Sequence, residues 1–138
     1  MKAFLGIGTN LGDRKTNLTH AVELINEQAG RVLACSSFVE TEPWGFESDN
    51  AFLNAVVEID TLHSPHELLR VTQEIERAMG RTRKSINGNY SDRIIDIDIL
   101  LYEEVIIDDA DLIIPHPLMW KRSFVYEPLW EIAPYLKK

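Results

Sequence analysis

Alternation of apolar and polar positions is clearest in residues 93–102, Arg-Ile-Ile-Asp-Ile-Asp-Ile-Leu-Leu-Tyr, where Ile95, Ile97 and Ile99 take turns with Asp96 and Asp98. A period of two predicts a half-buried strand with one apolar face and one face bearing both carboxylates. Ala3 to Ile7 predicts an earlier strand. From Arg14 to Ala29, Leu18, Ala21, Val22, Ile25 and Ala29 recur at helical spacing, and Gly30 closes the helix. Residues 31–41 return to strand, with Val32, Ala34, Ser36 and Phe38 on one parity. Phe52 to Ile59 predicts the next, with Phe52, Asn54 and Val56 on one face and Leu53, Ala55 and Val57 on the other. Ser64, Pro65 and Glu67 spell an N-cap, a first-turn proline and a capping box. The helix they open runs to about Met79, turns Leu68, Leu69, Ile75 and Met79 inward, and stops at Gly80.

After Tyr102, Val105 to Ile107 predicts a short returning strand, and Leu112 to Pro117 an extended segment pinned by two prolines. In the tail, Phe124, Val125, Leu129 and Ile132 are nearly helical in spacing. Pro128 interrupts them and Pro134 stops them, which predicts short helices. The order strand, helix, strand, strand, helix, strand and tail fits a ferredoxin-like α+β core: a mainly antiparallel sheet flanked by helices, with a short helical C-terminal tail. Two connections stand outside this pattern. Glu42 to Asn50 is turn-rich and carries Trp44 and Phe46, either as a hydrophobic lid or as a lip of the core. Residues 81–92 lack periodicity and hold Arg81, Arg83 and Lys84 ahead of Gly88 and Tyr90. They predict a mobile loop, either simply solvated or serving as a flap that closes over a phosphate chain.

Composition narrows the choice of partners. The 138 residues suit one domain, 1–138, and 45% hydrophobic with 26% charged residues is ordinary for a globular protein. A net charge of −8 argues against general nucleic-acid binding, which needs a basic face, but leaves room for a small anionic ligand. Cys35 stands alone, so no intrachain disulfide or multi-cysteine metal site is available. A packed thiol in a reducing compartment is expected. No signal peptide or membrane span is legible, so a cytoplasmic protein without a membrane partner is expected.

The two carboxylates of the alternating strand would lie roughly 6.5–7 Å apart. Like charges at that spacing repel unless a cation lies between them, and a hard divalent ion with oxygen ligands is the natural one. A merely solvated outer face is the plainer alternative. Arg81, Arg83 and Lys84 upstream, with Arg93 adjoining, shift the balance toward a polyphosphate site. Gln73 and Glu76 share another helix face at i, i+3 and by themselves read as solvated surface. Gly6-Ile-Gly8-Thr-Asn-Leu-Gly12 has the spacing G-x-G-x-x-x-G with Gly6 inside a strand, which does not match the dinucleotide fingerprint. Its glycines more simply admit a close backbone or ligand.

Several stretches together resemble the 6-hydroxymethyl-7,8-dihydropterin pyrophosphokinase family over nearly the whole chain. They are Gly8-Thr-Asn-Leu-Gly12, Ser37-Phe38 with Thr41 and Pro43, Phe52-Leu-Asn54-Ala, and Gln73-x-Ile-Glu76 with Gly80-Arg81-x-Arg83. Arg93-x-x-Asp96-Ile-Asp98-Ile, Pro115-His116-Pro117 and Arg122-x-Phe124 complete the set. The resemblance implies pyrophosphoryl transfer from ATP to a reduced hydroxymethylpterin, giving AMP and the pterin diphosphate in folate biosynthesis. It implies two Mg²⁺ ions bound with ATP on Asp96 and Asp98, and a catalytic set of Arg81, Arg93, Asp96 and Asp98. It assigns ATP to Gln73, Glu76, Arg83, Lys84, Arg93, Ile99, His116 and Arg122. It assigns the pterin to Thr41, Glu42, Pro43, Trp44, Phe52, Asn54, Tyr90, Asp96 and Phe124, with Phe52 and Phe124 stacking on the ring. A monomer is expected. Glu42 and Asp111 depart from the family's usual residues. The competing readings are a non-catalytic ferredoxin-like nucleotide-binding module and a Mg²⁺-dependent phosphohydrolase.

Overall fold

The computed structural model describes residues 1–41, 51–80 and 94–137. Strand β1 (Lys2–Thr9) leads into α1 (Arg14–Leu24), which a single π-helical turn (Ile25–Ala29) extends to Gly30. Asp13 caps α1 by accepting the Thr16 N–H at 3.1 Å. Then come β2 (Arg31–Cys35), β3 (Val39–Thr41), β4 (Phe52–Asp60), α2 (Pro65–Ala78) and β5 (Asp96–Tyr102). A small hairpin, β6 (Ile107–Asp108) with β7 (Ile113–Ile114), precedes α3 (Ser123–Ile132), which is flanked by two 3₁₀ turns.

The main sheet runs β2-β4-β1-β5, entirely antiparallel, with β3 beside β4 beyond β2. This is the ferredoxin-like strand order, with β5 at one edge. One face packs the main core: Ala3, Leu5 and Ile7 of β1, Ala55, Val57 and Ile59 of β4, and Ile97 and Ile99 of β5, against Leu18, Ala21 and Ile25 of the first helix and Leu68, Val71 and Ile75 of α2. Each fully buried Leu or Ile here contributes about 1.5–3 kcal/mol. The other face is covered over part of its length by α3, where Phe4, Val56 and Leu100 meet Met119, Leu129 and Ala133. The capping box at Ser64 forms as the sequence predicts: Ser64 Oγ accepts the Glu67 N–H at 3.3 Å and Glu67 Oε1 accepts the Ser64 N–H at 3.1 Å. Gly80 follows α2 at φ 104°, a value that side chains with a Cβ resist.

Four expectations are corrected. Residues 31–41 are two strands on β4: Ser36 still holds it, its N–H donating to the Val56 carbonyl at 2.9 Å, and the ladder is interrupted at Ser37 and Phe38, where the Ser37 N–H meets Glu131 of α3 instead. The predicted parity survives, with Val32, Ala34 and Phe38 partly buried and Ser36 buried. The strand expected at Val105 to Ile107 is instead Ile107–Asp108, paired with Ile113–Ile114 in a two-stranded sheet. Pro128 does not break the tail: α3 runs through it, with Pro128 and Leu129 buried, so packing outweighs one lost helical hydrogen bond. Cys35 is exposed rather than packed, because its odd position in β2 turns it away from the core. No helix among the described residues is long and apolar enough to cross a membrane.

Candidate active site

Three strands build the open part of the sheet's second face, row by row. Asn54 of β4, Gly8 of β1 and Asp96 of β5 stand opposite one another, and Val39 of β3 continues the row. In the next row Val56, Gly6 and Asp98 are aligned. Phe52 lies two residues before Asn54 and faces Thr41. The middle strand thus presents two glycines between an amide and aromatic bank on β4 and a carboxylate bank on β5. A side chain on β1 would fill this trough. A Cβ on Gly8 would come within 2.8 Å of Asn54 Oδ1 and 3.6 Å of Phe52 Cδ1. The glycine motif therefore serves close approach within a sheet, as its spacing suggests.

Asn54 is buried, and its Nδ2 donates to the Val39 carbonyl at 3.3 Å. That bond fixes the amide's orientation and leaves its oxygen lying over Gly8. Asp96 and Asp98 are both half-buried and share one face, as the alternation predicts. Two carboxylates beside a side-chain-free strip make a donor set that fits a hard divalent cation. Ile99 is 4% exposed in the main core, so its side chain is turned away from this face. Glu76 is also not solvated surface: it is 6% exposed, and its Oε2 accepts the Ile97 N–H at 2.7 Å. Gln73, three residues earlier, is exposed.

His116 follows β7 and reaches back to β5, its N–H donating to the Leu100 carbonyl at 3.0 Å. Its Nδ1 accepts the Leu118 N–H at 3.2 Å, so in the neutral ring Nε2 carries the proton. Burial pushes the His116 pKa below its ordinary value, the Arg122 cation pushes it further down, and the Asp96 carboxylate pulls the other way. The three groups are thus within electrostatic reach of one another. Arg122 stands immediately before α3, with its guanidinium 5.8 Å from the centre of the Phe124 ring. Asp96 of β5 is thus brought near His116 and Arg122, which belong to one later segment between β7 and α3.

Two fastenings at the margin carried no signal in the sequence. Arg14 pairs with Glu40 at 2.7 Å and donates to the Ala51 carbonyl at 2.9 Å, so one side chain holds both ends of the connection between β3 and β4. Glu131 of α3 accepts the Ser37 N–H at 2.9 Å and the Ser37 hydroxyl at 2.9 Å, fastening α3 to the gap between β2 and β3. Asp111 lies 3.8 Å from His66, whose Nε2 meets Asp109 at 2.8 Å. The predicted site residues Glu42, Pro43, Trp44, Arg81, Arg83, Lys84, Tyr90 and Arg93 lie outside the described residues, as does the expected flap over residues 81–92.

Fold and site define a ferredoxin-like α+β protein whose open sheet face joins a carboxylate pair to an aromatic and amide pocket. The chain belongs to the 7,8-dihydro-6-hydroxymethylpterin-pyrophosphokinase (HPPK) family, whose sequence model matches residues 4–134. It is 50% identical over 134 residues to the 2-amino-4-hydroxy-6-hydroxymethyldihydropteridine pyrophosphokinase of Porphyromonas gingivalis, covering 96% of this chain and 91% of that protein. The protein of the same name from Bacillus subtilis is 44% identical, with 99% of this chain and 80% of that protein covered. Among solved structures, HPPK-DHPS in complex with substrates matches 96% of this chain with a TM-score of 0.68 and 16% identity. Wild-type Plasmodium falciparum HPPK-DHPS with SDX-DHP matches 93% with a TM-score of 0.63 and 16% identity. At that identity the likeness is one of fold. The matched part is 40% of the first solved chain and 39% of the second.

Proposed function

We propose that this chain transfers a pyrophosphoryl group from ATP to the hydroxymethyl oxygen of 6-hydroxymethyl-7,8-dihydropterin, releasing AMP, as a step of folate biosynthesis. The observation that supports the reading is the row Asn54–Gly8–Asp96, with an amide and a carboxylate on either side of a glycine floor, in a chain of the HPPK family. The Asn54 amide offers one acceptor and two donors to the polar edge of the heterocycle. Phe52 and Phe124 supply rings on which a flat bicycle stacks without giving up its edge hydrogen bonds, and Thr41 borders Phe52.

Asp96 and Asp98 would hold the Mg²⁺ ions, two in the full reading; bound with the nucleotide, these would supply charge neutralisation and alignment of the triphosphate. Arg122 offers a planar cation for phosphate oxygens. Its neighbour His116, held neutral near pH 7 by burial and by that cation, offers an Nε2–H donor. Electrostatic positioning is the chief demand of phosphoryl transfer, so no dedicated base is required. Glu42, Pro43, Trp44, Arg81, Arg83, Lys84, Tyr90 and Arg93 complete the reading as ligands from the two connections, while Gln73 and Glu76 border the nucleotide side. The enzyme acts as one domain and as a monomer in the cytoplasm.

Incubation with ATP, Mg²⁺ and the reduced hydroxymethylpterin is expected to yield AMP and the pterin diphosphate in equal amounts. Pterin-dependent ADP, or free phosphate without a pterin diphosphate, would overturn the reading.

A further inference from the structure

Strand β5 carries both carboxylates and, among the described residues, is the edge of the main sheet, with a neighbouring strand on its inner side. On that inner side the residues facing Asp96 and Asp98 are Gly8 and Gly6, which have no side chains to pack against them. The outer side is where Glu76 enters. Its Oε2 accepts the N–H of Ile97, the residue between the two carboxylates, at 2.7 Å in a buried contact. A carboxyl group that is 6% exposed is costly to bury unless it is well hydrogen-bonded, and the Ile97 N–H supplies such a bond. Helix α2 is itself fixed. The capping box holds its first turn, and Leu68, Val71 and Ile75 lie in the main core.

We infer that Glu76 is a positioning residue for the metal pair: by anchoring the Asp96–Ile97 peptide it sets the direction in which Asp96 and Asp98 leave the strand. This rests on the reading of those two carboxylates as metal ligands and extends it to a residue on another element. The Ile97 N–H belongs to the peptide plane that joins Asp96 to Ile97. Rotation of that plane would turn the Asp96 side chain and, one residue on, that of Asp98. Holding two ligands in one geometry before the ion arrives is the task of outer-sphere groups, whose loss typically costs about 10–100-fold in metal affinity.

The test compares wild type, Glu76→Gln, Glu76→Asp, Glu76→Ala and Asp98→Ala. It measures Mn²⁺ affinity by electron paramagnetic resonance in the presence of a non-hydrolysable ATP analogue, affinity for the analogue without metal, and exchange of the Ile97 amide by NMR. Glu76→Ala is expected to speed Ile97 exchange and weaken Mn²⁺ about 10–100-fold, with a smaller loss of metal-free analogue affinity. Glu76→Gln keeps an oxygen for Ile97 and is expected to restore most of both. Should Glu76→Ala not fold, Glu76→Asp, with its acceptor withdrawn by one methylene, is expected to show the same losses in smaller measure. Wild-type Mn²⁺ affinity in a folded variant whose Ile97 amide has lost its protection would overturn the inference. An equal loss of metal-free analogue affinity would also overturn it, and would make Glu76 a nucleotide contact instead. If wild type and Asp98→Ala bind Mn²⁺ alike, the metal reading of the pair falls and this inference falls with it.

Discussion

The side-chain oxygen of Asn54 lies 2.8 Å from the point that a β-carbon on Gly8 would occupy. The two residues are paired across β4 and β1, so neither can move away without disturbing the ladder. The absence of a side chain at one position is therefore what allows the amide to lie flat at the other. Gly6, the next glycine on this face, is less constrained: the nearest atom to its Cβ would be on the Leu100 side chain at 3.4 Å, an ordinary contact.

Gly8→Ala is expected to displace the Asn54 amide, lengthen its 3.3 Å bond to the Val39 carbonyl and weaken pterin binding. Overpacking of this kind costs about 1–3 kcal/mol of stability. Gly6→Ala is expected to cost less in stability. Denaturant melts and pterin fluorescence titrations of the two variants check the contrast. Equal tolerance at both positions would remove Gly8 from the site's architecture.

For the carboxylates, the expectation is separation of activity from stability. Asp96→Ala and Asp98→Ala are each expected to lower turnover by more than about 100-fold, beyond the usual cost of losing an outer-sphere metal partner. Thermal midpoints are expected to stay near that of wild type, because both groups are only half-buried and neighbouring carboxylates repel. Steady-state assays beside melting curves decide it. Near-normal turnover in a folded Asp98→Ala protein would return the pair to solvated surface.

Much of this arrangement was legible because it rests on local rules. Alternation at Asp96 to Ile99 fixed the face of the carboxylates, the Phe52, Asn54, Val56 parity fixed the opposite bank, and the Ser64 capping box fixed the start of α2. What the sequence hid depends on pairing between distant segments. Nothing within α2 distinguishes Glu76 from a solvated residue; its burial is decided by an edge-strand N–H 21 positions away. The break at Ser37 and Phe38 coincides with a contact from Ser37 to Glu131 of α3 that strand propensity does not encode. Pro128 was a fair helix breaker by local rule, and only the packing of α3 on the sheet reverses it. Arg14 holds together two chain segments that look unrelated until the sheet forms.

Glu131 links two observations. It accepts the Ser37 N–H and hydroxyl, and its charge, after the partial cover that the otherwise exposed Cys35 retains, is the second cause that raises the thiol above its ordinary pKa. Glu131→Ala is expected to destabilise the fold by about 1 kcal/mol, the usual net worth of a hydrogen bond at an exposed site. It should also speed alkylation of Cys35 by iodoacetamide near pH 8, since the thiolate forms more readily without the carboxylate. The increase should be modest, because burial, the larger cause, remains. An unchanged alkylation rate in the folded variant would show that the two groups are not coupled.

His116 sets a pH dependence whose sign can be worked out. Burial first, and the Arg122 cation second, hold its folded pKa below the ordinary 6.5, with Asp96 opposing them. Between that lowered value and 6.5 the unfolded chain binds more protons than the folded one, so stability rises with pH across the window and falls as acid is added. Above about 6.5 the ring is neutral in both states and the effect vanishes. His116→Asn keeps an oxygen that can accept the Leu118 N–H, in place of the Nδ1 contact at 3.2 Å, but has no proton to gain. The thermal midpoint of wild type minus that of His116→Asn is therefore expected to be greatest above pH 7 and to shrink toward pH 5.5. Arg122→Gln should narrow the window by removing the second cause, so a protein carrying Arg122→Gln should lose less stability than wild type over the same range. Melting curves at half-unit steps from pH 5 to 8 measure both differences, and a gap between wild type and His116→Asn that stays constant across them would mean that His116 titrates as a free imidazole.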